Sequence, residues 1–77
     1  MNKVRRKELD KAIELIEQAK AIVEMCKDEE EDAFDNLPEG IQESERGEQM
    51  EEYVDIMDEA VDNIEDIIEA IDEIVRG

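Results

Sequence analysis

The stretch MEEYVDIMDEAVDNIEDIIEAIDEIV, residues 50–75, decides the fold. Its members Met50, Tyr53, Met57, Ala60, Ile64, Ile67, Ile71 and Ile74 recur at alternating steps of three and four. That spacing keeps them on one side of a helix of about 3.6 residues per turn, whereas a half-buried strand would need strict alternation. Val54, Val61, Ile68 and Val75 flank the row and widen it from a narrow coiled-coil seam to the broad stripe of a bundle helix.

Upstream, the same alternation links Leu9, Ala12, Ile16, Ala19, Val23, Cys26, Ala33 and Leu37, broken only by Glu30, with Ile13 and Ile22 beside it. A first helix over about residues 2–35 follows, because Pro38 disfavours helical geometry at Leu37. Between the two helices, NLPEGIQE at residues 36–43 sets proline and glycine two residues apart, which marks a turn. Leu37 and Ile41 are expected to tuck beneath it. The turn spans 36–44 and ends at Ser44, a natural N-cap for a second helix over about residues 45–76 with acidic residues in its first turn. Two long helices of equal length joined by a short link predict an all-α antiparallel hairpin, a single domain over residues 1–77.

A chain of this size buries only about 60% of its unfolded surface, so a solitary copy is marginal. One cysteine and no histidine leave neither an internal disulfide nor a structural zinc site to compensate. Each helix of a lone pair offers the other a single line of contact, which leaves flanking isoleucines and valines in water. A homo-oligomer is therefore expected, a dimer forming a four-helix bundle. Its core draws Leu9, Ile13, Ile16 and Val23 from the first helix and Tyr53, Met57, Ile64, Ile67, Ile71 and Ile74 from the second. Met50 and Cys26 read as core as well, the thiol acting as a small hydrophobe.

The net charge is −17, and it is unevenly spread. Residues 1–27 carry seven bases and five acids, a balance of +2, while residues 28–77 carry two bases and 21 acids, a balance of −19. An anionic body disfavours direct contact with nucleic acid or an anionic membrane and steers cationic partners inward. Folding back should set Lys3, Arg5, Arg6, Lys7 and Lys11 beside Glu69, Asp72 and Glu73. The basic N-terminal stretch lacks an apolar core, and no run approaches the roughly 18 apolar residues of a membrane span. The expected location is cytoplasmic.

Chemistry is mostly excluded. Without histidine, the usual nucleophilic triads and the Glu-x-x-His pairs of di-iron bundles cannot form. A calcium loop opening at Asp35 would put Leu37 and Arg46 at ligand positions, and the glycine-containing turn lacks a phosphate-loop lysine. The carboxylates lie on solvated faces without the apolar pocket that raises a catalytic pKa. The protein is expected to be no enzyme, with no cofactor, no metal and no catalytic residue.

One feature strains the reading as an ordinary solvated face, which would interleave lysines, although solubility and avoidance of aggregation account for it as well as imitation of nucleic-acid charge does. Glu48, Glu52, Asp55, Glu59, Asp62, Asp66, Glu69 and Glu73 form an unbroken acidic row, and no lysine or arginine occurs from Glu48 to Val75. Like charges four apart, such as Asp55 with Glu59, each cost a helix about 0.2–0.5 kcal/mol. Along the helix axis these carboxylates recur about every 5 Å, loosely matching the ~3.4 Å phosphate spacing of a duplex strand.

The segment DAFDNLPEGIQESERGEQMEE, residues 32–52, with DNIEDIIEAIDEI, residues 62–74, resembles a group of small acidic helical proteins of bacteriophages and prophages, mainly of Gram-positive hosts. The LPEGIQ turn and the SERGE that follows are its most specific elements. The resemblance implies a setting: accessory proteins that interfere with host defence or nucleases, some by imitating DNA, others by sequestering a nucleotide signal in a helical oligomer. Three functions are therefore expected in order: an acidic interaction face that binds and blocks a basic, nucleic-acid-binding host protein; a sponge for a small nucleotide, with Lys3, Arg5, Arg6 or Arg46 at an oligomer interface; and a plain assembly module.

Overall fold

The computed structural model describes residues 1–77 and contains helix and turn only. Helix α1 spans Lys3–Asp35, α2 is a single turn at Glu39–Gln42, and α3 spans Glu45–Arg76. Helices α1 and α3 pack side by side along a rod 58 Å long and 15 by 13 Å across.

Local chemistry sets each boundary. Asn2 caps α1, its side-chain oxygen accepting the Arg5 N–H at 2.8 Å. The helix stops at Asp35, ahead of Pro38, whose extended backbone opens α2. Ser44 caps α3 by accepting the Gly47 N–H at 3.5 Å, while its hydroxyl donates to the Ile41 carbonyl. The Gln42 amide donates to the Phe34 carbonyl at 3.0 Å and so ties the turn to the end of α1. The segment expected to be a plain turn thus contains a helical turn of its own. Of the two residues expected to lie under it, Leu37 is half-buried but Ile41 stays 39% exposed.

Gly47 is one of only three buried residues. A Cβ there would collide with the backbone carbonyl of Gln42, so the corner between α2 and α3 closes only around a bare Cα. Alanine in place of glycine ordinarily favours a helix by about 1 kcal/mol. Here the collision is with backbone, and we expect Gly47→Ala to destabilise by about 1–3 kcal/mol instead. A urea midpoint at or above that of the parent chain would contradict this.

The contact between the helices is a single seam. On α1 it comprises Leu9, Ile13, Ile16, Lys20, Val23, Lys27, Glu30 and Phe34, and on α3 Met50, Val54, Met57, Val61, Ile64, Ile68, Ile71 and Val75, all buried or half-buried. Only Ile13 and Val61, each 7% exposed, are buried side chains, so the core is one residue wide. The seam lies one residue round from the expected row. Tyr53, Ile67 and Ile74 are 47%, 50% and 45% exposed, and Ala19, Cys26 and Ala33 are exposed too. The reading of Tyr53 and Cys26 as core is therefore corrected for the single hairpin.

Burial explains the rotation. Turning α1 to present Ile13 and Phe34 rather than Ala12 and Ala33 removes more apolar area from water, at about 25 cal/mol per Å². Lys20 and Lys27 can join the seam because their aliphatic stems cover it while their ammonium groups reach out to carboxylates.

Candidate interaction surfaces

Each helix carries a second apolar seam that the hairpin leaves exposed, apart from half-buried Ala12 and Ala60. On α1 it runs Ala12, Leu15, Ala19, Ile22, Cys26, Ala33, and on α3 Tyr53, Ile56, Ala60, Ile67, Ala70, Ile74, again at steps of three and four apart from one gap in each, at Glu29 and Asn63. Leu15, Ile22 and Ile56 are 61%, 58% and 53% exposed. In an antiparallel pair, residues displaced in the same rotational sense from the contact line fall on the same side. The two open seams therefore merge into one apolar face, two helices wide.

The other side of the hairpin is polar and supports that assignment. A shallow groove there is lined from both helices by Glu17, Lys20, Ala21, Glu24, Glu65, Ile68 and Glu69. Lys20 bridges to Glu65 at 3.0 Å and more loosely to Glu24 at 3.7 Å, and Lys27 reaches Asp58 at 3.1 Å. The two cross-helix pairs share a register, seven residues forward on α1 matching seven back on α3. Hydrogen bonding to Glu65 raises the Lys20 pKa above its ordinary value, and hydrogen bonding to Asp58 does the same for Lys27, each against a smaller opposing desolvation. With their carboxylates in solvent, these pairs select the register more than they add stability.

The expected pairing of the N-terminal bases with Glu69, Asp72 and Glu73 is not formed. Arg76 donates through Nε to both oxygens of Asp72, at 3.0 and 2.9 Å, and this raises its pKa. Lys3, Arg5, Arg6, Lys7 and Lys11 form no ion pair, nor does Arg46. Their charge is not consumed within the chain.

All eight residues of the acidic row, Glu48, Glu52, Asp55, Glu59, Asp62, Asp66, Glu69 and Glu73, are exposed and none is ion-paired. The acids that are paired, Asp58, Glu65 and Asp72, lie one position further round, bordering the helix contact. Of the residues expected to form an oligomer core, Leu9, Ile13, Ile16, Val23, Met57, Ile64 and Ile71 lie in the inner seam, and Tyr53, Ile67 and Ile74 lie on the open face. Sequence reasoning missed Leu15, Ile56 and Ala70 as face residues. The signal was present in Ala12, Leu15, Ala19, Ile22, Cys26, a second three-and-four row beside the first.

No group of three or more histidine, cysteine or acidic side chains converges as metal ligands would, and no helix is long and apolar enough to cross a membrane. A scan of family models, a search of curated proteins and a search of solved structures each find no match.

Proposed function

We propose that this chain acts without catalysis: two hairpins join through their apolar faces into a four-helix bundle, and the acidic outer surface docks on a basic, nucleic-acid-binding protein and blocks it. Support for the pairing comes from area. A compact monomer of 8.9 kDa exposes about 4,800 Å², whereas this rod exposes 5937 Å². The excess, about 1,100 Å² per chain, doubles in a pair to an area in the range of homodimer interfaces, roughly 2,000 Å² and upward.

The observation that carries the functional reading is the acidic row, wholly exposed and without a cation, on a chain that retains repulsive neighbours there. Such a surface imitates the charge of a duplex backbone toward a protein built to grip one. Small acidic phage proteins provide the setting that the turn sequence suggests, with interference in host defence as the task and the host cytoplasm as the place. The grooves of one hairpin are lined mainly by carboxylates, which repel phosphate, so a nucleotide sponge finds less support.

The test begins with the tagged chain and host lysate. The captured basic protein, once purified, should bind with an affinity that falls at least tenfold between about 50 and 500 mM salt, because screening shortens the reach of exposed charges. The chain should also displace duplex DNA from it. Reversing Glu52, Asp55, Glu59 and Asp62 to lysine should weaken binding at least 100-fold. Salt-insensitive binding, or full binding by the reversed variant, would remove the proposal.

A further inference from the structure

The poles of the rod carry opposite charge along α1. Residues 1–11 have five bases and two acids, a balance of +3, and residues 28–48 have ten acids and one base, a balance of −9. None of the five N-terminal bases is used in an ion pair within the chain. Two identical apolar faces can be stacked about a two-fold axis in either of two ways. An axis along the rod sets turn against turn, with both −9 segments crowded at one end. An axis across the rod lays α1 over the partner's α1 in the opposite direction and sets each basic segment over an acidic one.

We propose that the two hairpins pair head to tail, about an axis across the rod, with Lys3 to Lys11 of each copy lying over the acidic turn end of the other. This rests on the pairing proposed above and adds its orientation. Charge complementarity at the poles, where Lys3 to Lys11 meet the acidic turn end, selects between the two stackings, since like charges opposed at an interface are costly and opposite ones fix the register; α3, acidic throughout, supplies no such complement. The α1 row is consistent with it. With the axis level with Ile22 and Val23, Ala12 meets the partner's Ala33 and Ala19 meets the partner's Cys26, so small residues face small ones on either side of a larger pair at the axis, Ile22 with its symmetry mate.

Native Cys26 makes the orientation measurable. Head to tail, the two Cys26 residues are offset by about seven residues, ~10 Å along the axis, beyond the roughly 7 Å Cα separation a disulfide tolerates. The parent chain should therefore resist oxidation to a covalent dimer, whereas Ala19→Cys, which retains Cys26, should yield one. The lengthwise stacking predicts a different partner: by the register of the cross-helix pairs Cys26 is level with the other copy's residue 59, next to Ala60 on the apolar face, so that Ala60→Cys cross-links and Ala19→Cys does not.

A second readout avoids the interface. Position 40 has open space for a side chain. A spin label at Gly40→Cys in a Cys26→Ala background should report turn-to-turn distances on the order of 45 Å head to tail, against less than ~20 Å lengthwise. Cross-linking of Ala19→Cys with the long distance supports the orientation. A dimer by sedimentation that cross-links through Ala60→Cys, or shows the short distance, overturns the orientation and leaves the pairing intact. A single copy at every concentration overturns both.

Discussion

Val61→Asp is expected to unfold the chain at 25 °C, with collapse of its helical circular dichroism and loss of a cooperative melt. Val61 is 7% exposed and sits midway along a seam one residue wide. The register of the Lys20–Glu65 and Lys27–Asp58 pairs puts it level with Glu24, so an aspartate there would lie among carboxylates, with both nearby ammonium groups already engaged. An unpaired buried charge costs several kcal/mol. A chain of 77 residues has about 4–12 kcal/mol of stability in total. Because no second layer of core lies behind the seam, the loss is expected to exceed what remains. A parent-like melt for Val61→Asp would mean that the inner seam is elsewhere.

Ile67→Asp addresses the other seam and should separate association from folding. Ile67 is 50% exposed in the hairpin, so a carboxylate there can stay hydrated and α3 can still pack on α1. Burying an isoleucine contributes about 1.5–3 kcal/mol, and a symmetric pair buries two. Removing both and adding two charges should weaken association at least ~100-fold, at 1.4 kcal/mol per tenfold. The parent melting temperature should climb with protein concentration, as it does whenever assembly binds only the folded state. The variant should melt lower and independently of concentration. Sedimentation that finds Ile67→Asp still paired, or the parent single in dilute solution, would refute the role given to this face.

Much of the fold was legible along the chain because helix periodicity and capping are local. Pro38, Ser44 and the steps of three and four place the long helices to within a residue or so of Lys3–Asp35 and Glu45–Arg76. The orientation of those helices was not legible. Met50, Met57, Ile64 and Ile71 belong to two overlapping stripes, one completed by Val54, Val61, Ile68 and Val75, the other by Tyr53, Ala60, Ile67 and Ile74. Which stripe turns inward depends on the opposing helix, where Ile13 and Phe34 outweigh Ala12 and Ala33 and where Lys20 and Lys27 find Glu65 and Asp58. That choice is a property of a pair of helices, and a spacing within one of them cannot express it. The extra turn at Glu39–Gln42 was hidden for a similar reason, since it depends on Gly47 giving room to the Gln42 carbonyl. The acidic row was fully legible, because exposed charge needs no partner to define it.

The Gln42–Phe34 latch and the glycine corner have a kinetic consequence. Every contact of α1 with α3 bridges a chain separation that grows by two for each step away from the turn, and the Lys27–Asp58 pair already spans 31 residues. Loop-closure entropy therefore favours starting at the turn and zipping outward, each new rung closing only a few residues beyond the last. The rungs farthest from the turn are the last to form and the first to open. Amide exchange should grade smoothly along the rod, slow beside Phe34 and Met50 and fast near Leu9 and Val75, unless a second rod clasped in the opposite sense shields the fraying end with its own firm one.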